Sequence, residues 1–182
     1  MRSRSLLTSF ALISLCPLGA CHRATQADAP SSSLLAVGSP APDVEGSTEQ
    51  GSTLRLSQTK GTIAVVYFYP KDETPGCTKE ACAFRDNYSA FESAGVTVFG
   101  VSRDTAQSHA AFRAHYQLPF VMVADPNGTV QHAYGVPSKL PGIAARVTFL
   151  IDRSGKVARV WPDVDPVQHA KEVLEAAKQL KS

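Results

Sequence analysis

Two thiols stand five residues apart in the run Tyr69-Pro70-Lys71-Asp72-Glu73-Thr74-Pro75-Gly76-Cys77-Thr78-Lys79-Glu80-Ala81-Cys82. Thr74 is a good helix N-cap residue and Pro75 suits the first helical position, which puts Cys77 near the third. At that place free backbone N–H groups and the positive end of the helix dipole point at the sulfur and favour its thiolate form. Glu73 and Glu80 push the other way if close, so a nearby cation would help. The competing reading is a small buried core cysteine; the Thr-Pro-Gly context argues for a reactive one.

Cys82 gives that thiol a neighbour. In a continuous helix, five positions correspond to about 140° around the axis, about 7.5 Å along it and roughly 8.6 Å between Cα atoms. A disulfide closes only below about 7 Å. A permanent bridge and an intact helix are therefore incompatible, and a bond between the two requires the first helical turns to unwind. The pair reads as a switching disulfide. It is not spaced as a zinc pair, and the five histidines form no ligand cluster with it, so no metal is expected. Far along the chain, Arg146 heads the apolar run Val147-Thr148-Phe149-Leu150-Ile151. A cation entering a sheet needs an anionic partner; the alternative is an exposed arginine at a strand start.

The elements that must position these residues follow from periodicity. Thr53–Leu56 alternates like a strand, and Thr62–Tyr69 is a nearly continuous β-branched and aromatic run that suits a strand buried on both faces. Apolar positions 81, 84, 88 and 91 keep helical spacing over 77–94, with Gly95 as a C-cap residue. Val96–Val101 is a strand, Asp104–Tyr116 a helix, and Val121–Ala124 a strand stopped by Asp125-Pro126-Asn127-Gly128. Residues 146–151 and 156–161 form a hairpin across Asp152-Arg153-Ser154-Gly155. Asp165 caps a final helix through Leu180, with Val167, Ala170, Val173, Leu174 and Ala177 on its inner face. Alternation of strand and helix implies crossovers and a mostly parallel core sheet closed by an antiparallel edge. The expected class is α/β, a thioredoxin-like fold with a central mixed sheet flanked by helices.

The 182 residues are 43% hydrophobic, enough for one globular domain with a core plus an extension. The formal charge of +2 comes from Arg2 and Arg4; the remainder has equal numbers of basic and acidic side chains, and no basic stripe points to nucleic acid. Arg2 and Arg4 precede Leu6–Leu15, which is apolar but too short to span a bilayer. Leu18-Gly19-Ala20-Cys21 then resembles a bacterial lipobox, with cleavage before Cys21 and lipid on its sulfur; an ordinary secretory signal with an incidental cysteine is the alternative. Cys16 fits less well, because bulky Leu15 precedes it. His22 stands where an Asp often marks inner-membrane retention, which favours the periplasmic side of the outer membrane. The expected division is a signal peptide over 1–20, a flexible Ala/Ser/Thr/Pro-rich tether over 21–36 and the domain over 37–182.

Pro70, Thr74 and Cys77 match the Pro-x-x-x-Thr-x-x-Cys signature of peroxiredoxins, and the stretch 69–82 resembles their PrxQ, or bacterioferritin comigratory protein, subgroup. Gly100-Val101-Ser102, Leu118-Pro119-Phe120, 125–128, Ala133-Tyr134-Gly135-Val136 and 148–152 match as well, so the resemblance covers about 37–180 in order. It implies a thiol-dependent peroxidase acting on hydrogen peroxide and organic hydroperoxides. Cys77 would be the peroxidatic cysteine, Cys82 the resolving one, Thr74 a hydrogen-bonding hydroxyl and Arg146 the arginine beside the sulfur. Pro70 and Gly76 would line the pocket. No cofactor is implied; the reductant would be a thioredoxin-like dithiol, and the oligomeric state a monomer. The departure is the exported, lipidated N-terminus, which removes the chain from the cytosol where thioredoxin works. Two other readings stand beside this one: a thiol–disulfide oxidoreductase, which would want the cysteines two apart, and a lipid-anchored binding module with vestigial thiols.

Overall fold

The computed structural model describes residues 33–180. The expected signal peptide over 1–20, the lipidation site Cys21 and most of the expected tether lie outside them. Among the described residues no helix is long and apolar enough to cross a membrane.

β1 (Glu45–Ser47) and β2 (Thr53–Arg55) form a short hairpin, followed by a 3-10 turn, Leu56–Thr59. β3 (Ile63–Phe68) leads into α1 (Pro75–Asp86) and α2 (Tyr88–Ser93), then β4 (Val96–Ser102), α3 (Ala106–Tyr116) and β5 (Val121–Ala124). After α4 (Thr129–Ala133) come a small hairpin, β6 (Ser138–Leu140) and β7 (Ile143–Ala144), the long hairpin β8 (Val147–Ile151) and β9 (Val157–Trp161), and α5 (His169–Gln179). Seven strands make one sheet in the order β2-β1-β5-β4-β3-β8-β9. β3, β4 and β5 are parallel, while β8–β9 on one side and β1–β2 on the other run antiparallel. The parallel part is thus three central strands flanked on both sides, a thioredoxin-like mixed sheet with one antiparallel edge more than the sequence pattern implied.

β3 lies inside the sheet between β4 and β8, and all six of its residues are buried. Its side chains alternate between the two faces, as a period of two demands. Ile63, Val65 and Tyr67 join a core with Phe84, Phe91, Phe112, Val173 and Ala177; Ala64, Val66 and Phe68 join another with Val101, Tyr134 and Phe149. The crossovers β3–β4 and β4–β5 advance in the same direction across the sheet, so right-handed connections put α1 and α3 on one face. α5 packs on that face too. Cys77 belongs to this core.

Four local expectations change. The helix expected over 77–94 breaks at Asn87, whose backbone leaves the helical region (φ −103°, ψ 6°) and whose Nδ2 donates to the Ala83 carbonyl at 2.8 Å. An asparagine side chain that bonds a nearby carbonyl competes with the helix ladder. The helix expected from Asp104 begins at Ala106, capped by Thr105, which accepts from the Ser108 amide at 3.2 Å. Asp165 accepts from the Val167 amide at 2.9 Å in a local turn, so regular helix begins only at His169 and Val167 is 54% exposed. Leu34 and Leu35, placed in the tether, pack on the second core, and the Leu35 amide donates to the Tyr134 carbonyl at 3.1 Å.

Candidate active site

The site lies at the carboxyl end of β3, beyond the last ladder bond. The Tyr69 amide still donates to the Val101 carbonyl at 3.0 Å. Pro70 then ends the strand, because proline has no N–H to give, and the loop 70–74 turns the chain back over the sheet. Glu73 adopts a left-handed conformation, φ +59°. Thr74 is extended (φ −77°, ψ 145°) and Pro75 opens α1, so Cys77 is the third helical residue. The helix-start N–H groups of Gly76 and Cys77 have no carbonyl within the helix to bond. Thr74 does not cap with its side chain as expected: its hydroxyl donates to the Lys71 carbonyl at 2.9 Å. With that proton committed, the oxygen is left to accept.

Cys77 is 2% exposed and its thiol is free. Arg146, the residue before β8, donates to its sulfur from Nη2 at 3.4 Å and from Nη1 to Glu80 Oε2. Cys77 and Glu80 are one turn apart on α1, so a single guanidinium fork spans both. Glu80 is the anionic partner that a buried Arg146 needed, and nothing in its local pattern distinguished it from a solvent-facing helix glutamate. Its side chain is fully buried, with Oε1 lacking a hydrogen-bond partner. Burial pushes the Glu80 carboxyl up to about 7, against the opposing pull of Arg146. Burial lowers the Arg146 pKa, but Glu80 and then Cys77 outweigh it and the net direction is upward.

Gly76 closes the approach on the helix side: a Cβ there would stand 3.3 Å from Arg146 Nη2. Beneath α1, the Tyr67 ring stacks on Phe84 at 4.6 Å and its hydroxyl has no hydrogen-bond partner. Burial first, then the charges at Glu80 and Cys77, hold that phenol far above its ordinary range. The structure therefore brings Cys77, Gly76 and Arg146 into contact and sets Thr74 and Pro70 in the loop that leads to them. Cys82 is on the same helix, half-buried and free, five positions along. No disulfide joins the two in an intact α1, as helix geometry requires. Tyr67 is the site residue that spacing did not single out; Glu80, expected to make a nearby cation useful if it lay close to Cys77, has Arg146 as that cation.

Known proteins resemble this chain in sequence and fold. The sequence profile of the AhpC/TSA family matches residues 37–160. The chain is 45% identical over 145 residues to the putative peroxiredoxin bcp of Coxiella burnetii, an alignment covering 76% of this chain and 95% of that one. It is 44% identical over 146 residues to the chloroplastic peroxiredoxin Q of Sedum lineare, covering 79% and 78%. Among solved structures, the bacterioferritin comigratory protein of Xanthomonas campestris, studied for its alkyl peroxide reduction activity, superposes with a TM-score of 0.69 at 34% identity, over 76% of this chain and 92% of that one.

Proposed function

The chain belongs to the AhpC/TSA family and, within it, to the peroxiredoxins of the Q/bacterioferritin comigratory group, which are thiol-dependent peroxidases; from that premise we propose that Cys77 attacks the peroxide and Cys82 resolves the product. The observation that carries the assignment is the buried Cys77 sulfur at a helix N-terminus, within hydrogen-bond reach of Arg146.

The Cys77 thiolate attacks one peroxide oxygen in line with the O–O bond. An S–O bond forms, the O–O bond breaks, and the leaving oxygen departs with a proton as water or an alcohol. Thr74 Oγ1 accepts from the peroxide O–H, and the N–H groups of Gly76 and Cys77 donate to its oxygens. Arg146 stabilises both the thiolate and the charge growing on the leaving oxygen. Cys77 is then a sulfenic acid. The first turns of α1 unwind, the Cys82 sulfur attacks the Cys77 sulfur, hydroxide leaves and takes up a proton as water, and the disulfide forms. An external dithiol returns both thiols by exchange. Hydrogen peroxide and organic hydroperoxides are the substrates, the latter supported by the alkyl peroxide activity of the Xanthomonas relative.

The chain works outside the cytosol, held by lipid on Cys21. The basic n-region, the short apolar stretch and the lipobox-like 18–21 support this. Its reductant is then a thioredoxin-like dithiol protein on the periplasmic side of the outer membrane, and it acts as a monomer.

Peroxide consumption with dithiothreitol as reductant tests the assignment. Cys77→Ser lowers it to background. Cys82→Ser consumes one peroxide per chain without added thiol and leaves a sulfenic acid that a 1,3-diketone captures. Full turnover by Cys77→Ser would overturn the mechanism.

A further inference from the structure

A buried Asp–His pair bolts the loop in front of α1 to the rest of the protein, and the peroxide chemistry above makes no use of it. Asp72 is 4% exposed and His109, on α3, 2%. The Asp72 carboxylate accepts from the Tyr69 hydroxyl at 2.7 Å and from the Ser108 hydroxyl at 2.7 Å. His109 Nδ1 lies 2.9 Å and 3.2 Å from its two oxygens. The other ring nitrogen, Nε2, lies 3.1 Å from the Val123 carbonyl oxygen of β5, which can only accept. The Tyr69 hydroxyl, 3.4 Å from Nδ1, has its proton on Asp72. Both ring nitrogens are thus engaged, Nδ1 with Asp72 and Nε2 with the Val123 carbonyl. Burial alone would push Asp72 up, but the bond and charge of His109, with Ser108 and Tyr69, bring it below the usual carboxylate value.

The backbone beside this pair gives a second, independent observation. The Asp72 amide donates to Asp104 Oδ2 at 2.9 Å, and the Ser102 hydroxyl donates to that same oxygen at 2.6 Å. Side chain and main chain of Asp72 are both fixed, one residue before the left-handed Glu73 and two before Thr74. A non-glycine residue keeps that backbone conformation only where its surroundings over-determine it.

We propose that Asp72 and His109 are the positioning pair of this peroxidase: they clamp the loop 70–74 to α3, set Thr74 and the first turn of α1 for the peroxide, and stay closed while α1 unwinds. The hinge of the disulfide switch then lies after Thr74, at the start of α1. This rests on the assignment of Cys77 as the attacking thiol.

Trp161, the chain's one tryptophan, packs against His169, which packs against Phe84 of α1, so its fluorescence follows α1. On rapid mixing with peroxide, oxidation of Cys77 is the phase whose rate rises with peroxide, and resolution by Cys82 the phase whose rate does not. His109→Gln should slow the first phase roughly tenfold, because a misplaced reacting geometry is felt there. Ser108→Ala, which removes one of three donors to Asp72 and disturbs the fold least, should slow it about threefold. Neither should change the second phase more than about twofold. A pair that only stabilises the fold would lower the thermal midpoint and leave both phases of the folded protein unchanged, and that result overturns the proposal; should His109→Gln fail to fold, Ser108→Ala decides. Hydrogen exchange adds the hinge: on forming the disulfide, amides 78–82 lose protection while the Asp72 amide keeps it, and loss at Asp72 would overturn the placement. If the unaltered protein shows no peroxide-dependent phase, the Cys77 assignment itself falls, and this inference with it.

Discussion

Cys77 and Cys82 share one helix, and their surroundings assign them opposite tasks. Cys77 occupies the first turn, sealed into the core beneath Arg146 and beside the helix-start N–H groups. Cys82 sits mid-helix and half-exposed, where every neighbouring N–H already has its intrahelical acceptor. The first position sets hydrogen-bond donors beside the sulfur and beside the charge that grows on a peroxide oxygen. The second has no such help, and its thiol acts only once the helix opens. Reactivity here belongs to the place on the helix and to one distant arginine, not to cysteine as such.

The comparison breaks most sharply at Arg146. Lysine there keeps the charge but loses the fork that spans Cys77 and Glu80. Arg146→Lys should slow peroxide-dependent oxidation of Cys77 roughly a hundredfold, on the scale of losing one oriented donor, and leave resolution by Cys82 as it was. Equal slowing of both phases in stopped-flow fluorescence would contradict the division of labour.

Glu80 sharpens the contrast through pH. The folded protein holds the Glu80 proton to about 7, whereas the ordinary value is 4.5. With the folded pKa raised, protonation favours the native state. The stability from this group is complete below about pH 4.5 and is lost as pH rises through about 7. Glu80→Gln is neutral throughout, so its denaturant midpoint should lose that part of the decline across the same window. A variant curve parallel to the parent's would show that Glu80 titrates normally.

Smaller effects come from the helix between the thiols. Lys79 is exposed, and glycine there weakens α1 by about 0.7 kcal/mol. Lys79→Gly should therefore speed disulfide formation about threefold while Cys77 oxidation stays unchanged. Slower resolution would mean that α1 does not unwind on the way to the disulfide. The mildest change is Gly76→Ala. Its methyl would press on Arg146 Nη2 at 3.3 Å and move the guanidinium by a few tenths of an ångström. Oxidation should slow about twofold, with the resolving phase again untouched.

Much of this was legible in local sequence. The buried strand β3, the helix start at Pro75, the hairpin β8–β9 and the incompatibility of a disulfide with an intact α1 follow from periodicity, turn residues and helix geometry. Other features were not, because the signal was weak or lay elsewhere in the chain. β1, α4, β6 and β7 are each five residues or fewer, too short to show a period. Thr74 has the residue type of a capping side chain, yet the Lys71 carbonyl takes its proton. The break at Asn87 turned on one side-chain hydrogen bond inside an otherwise helical pattern.

By itself, the sequence determined which residues could do chemistry: a thiol at a helix start, a second thiol out of reach along that helix, and an arginine at the head of a buried strand. Tertiary structure alone decided which of them meet. Pairing of β3 with β8 brings Arg146 across 69 positions to the Cys77 sulfur, and packing of α3 brings His109 across 37 to Asp72. Local propensities act over a few residues. A buried charge finds its partner only where the folded sheet excludes the water that would otherwise serve it.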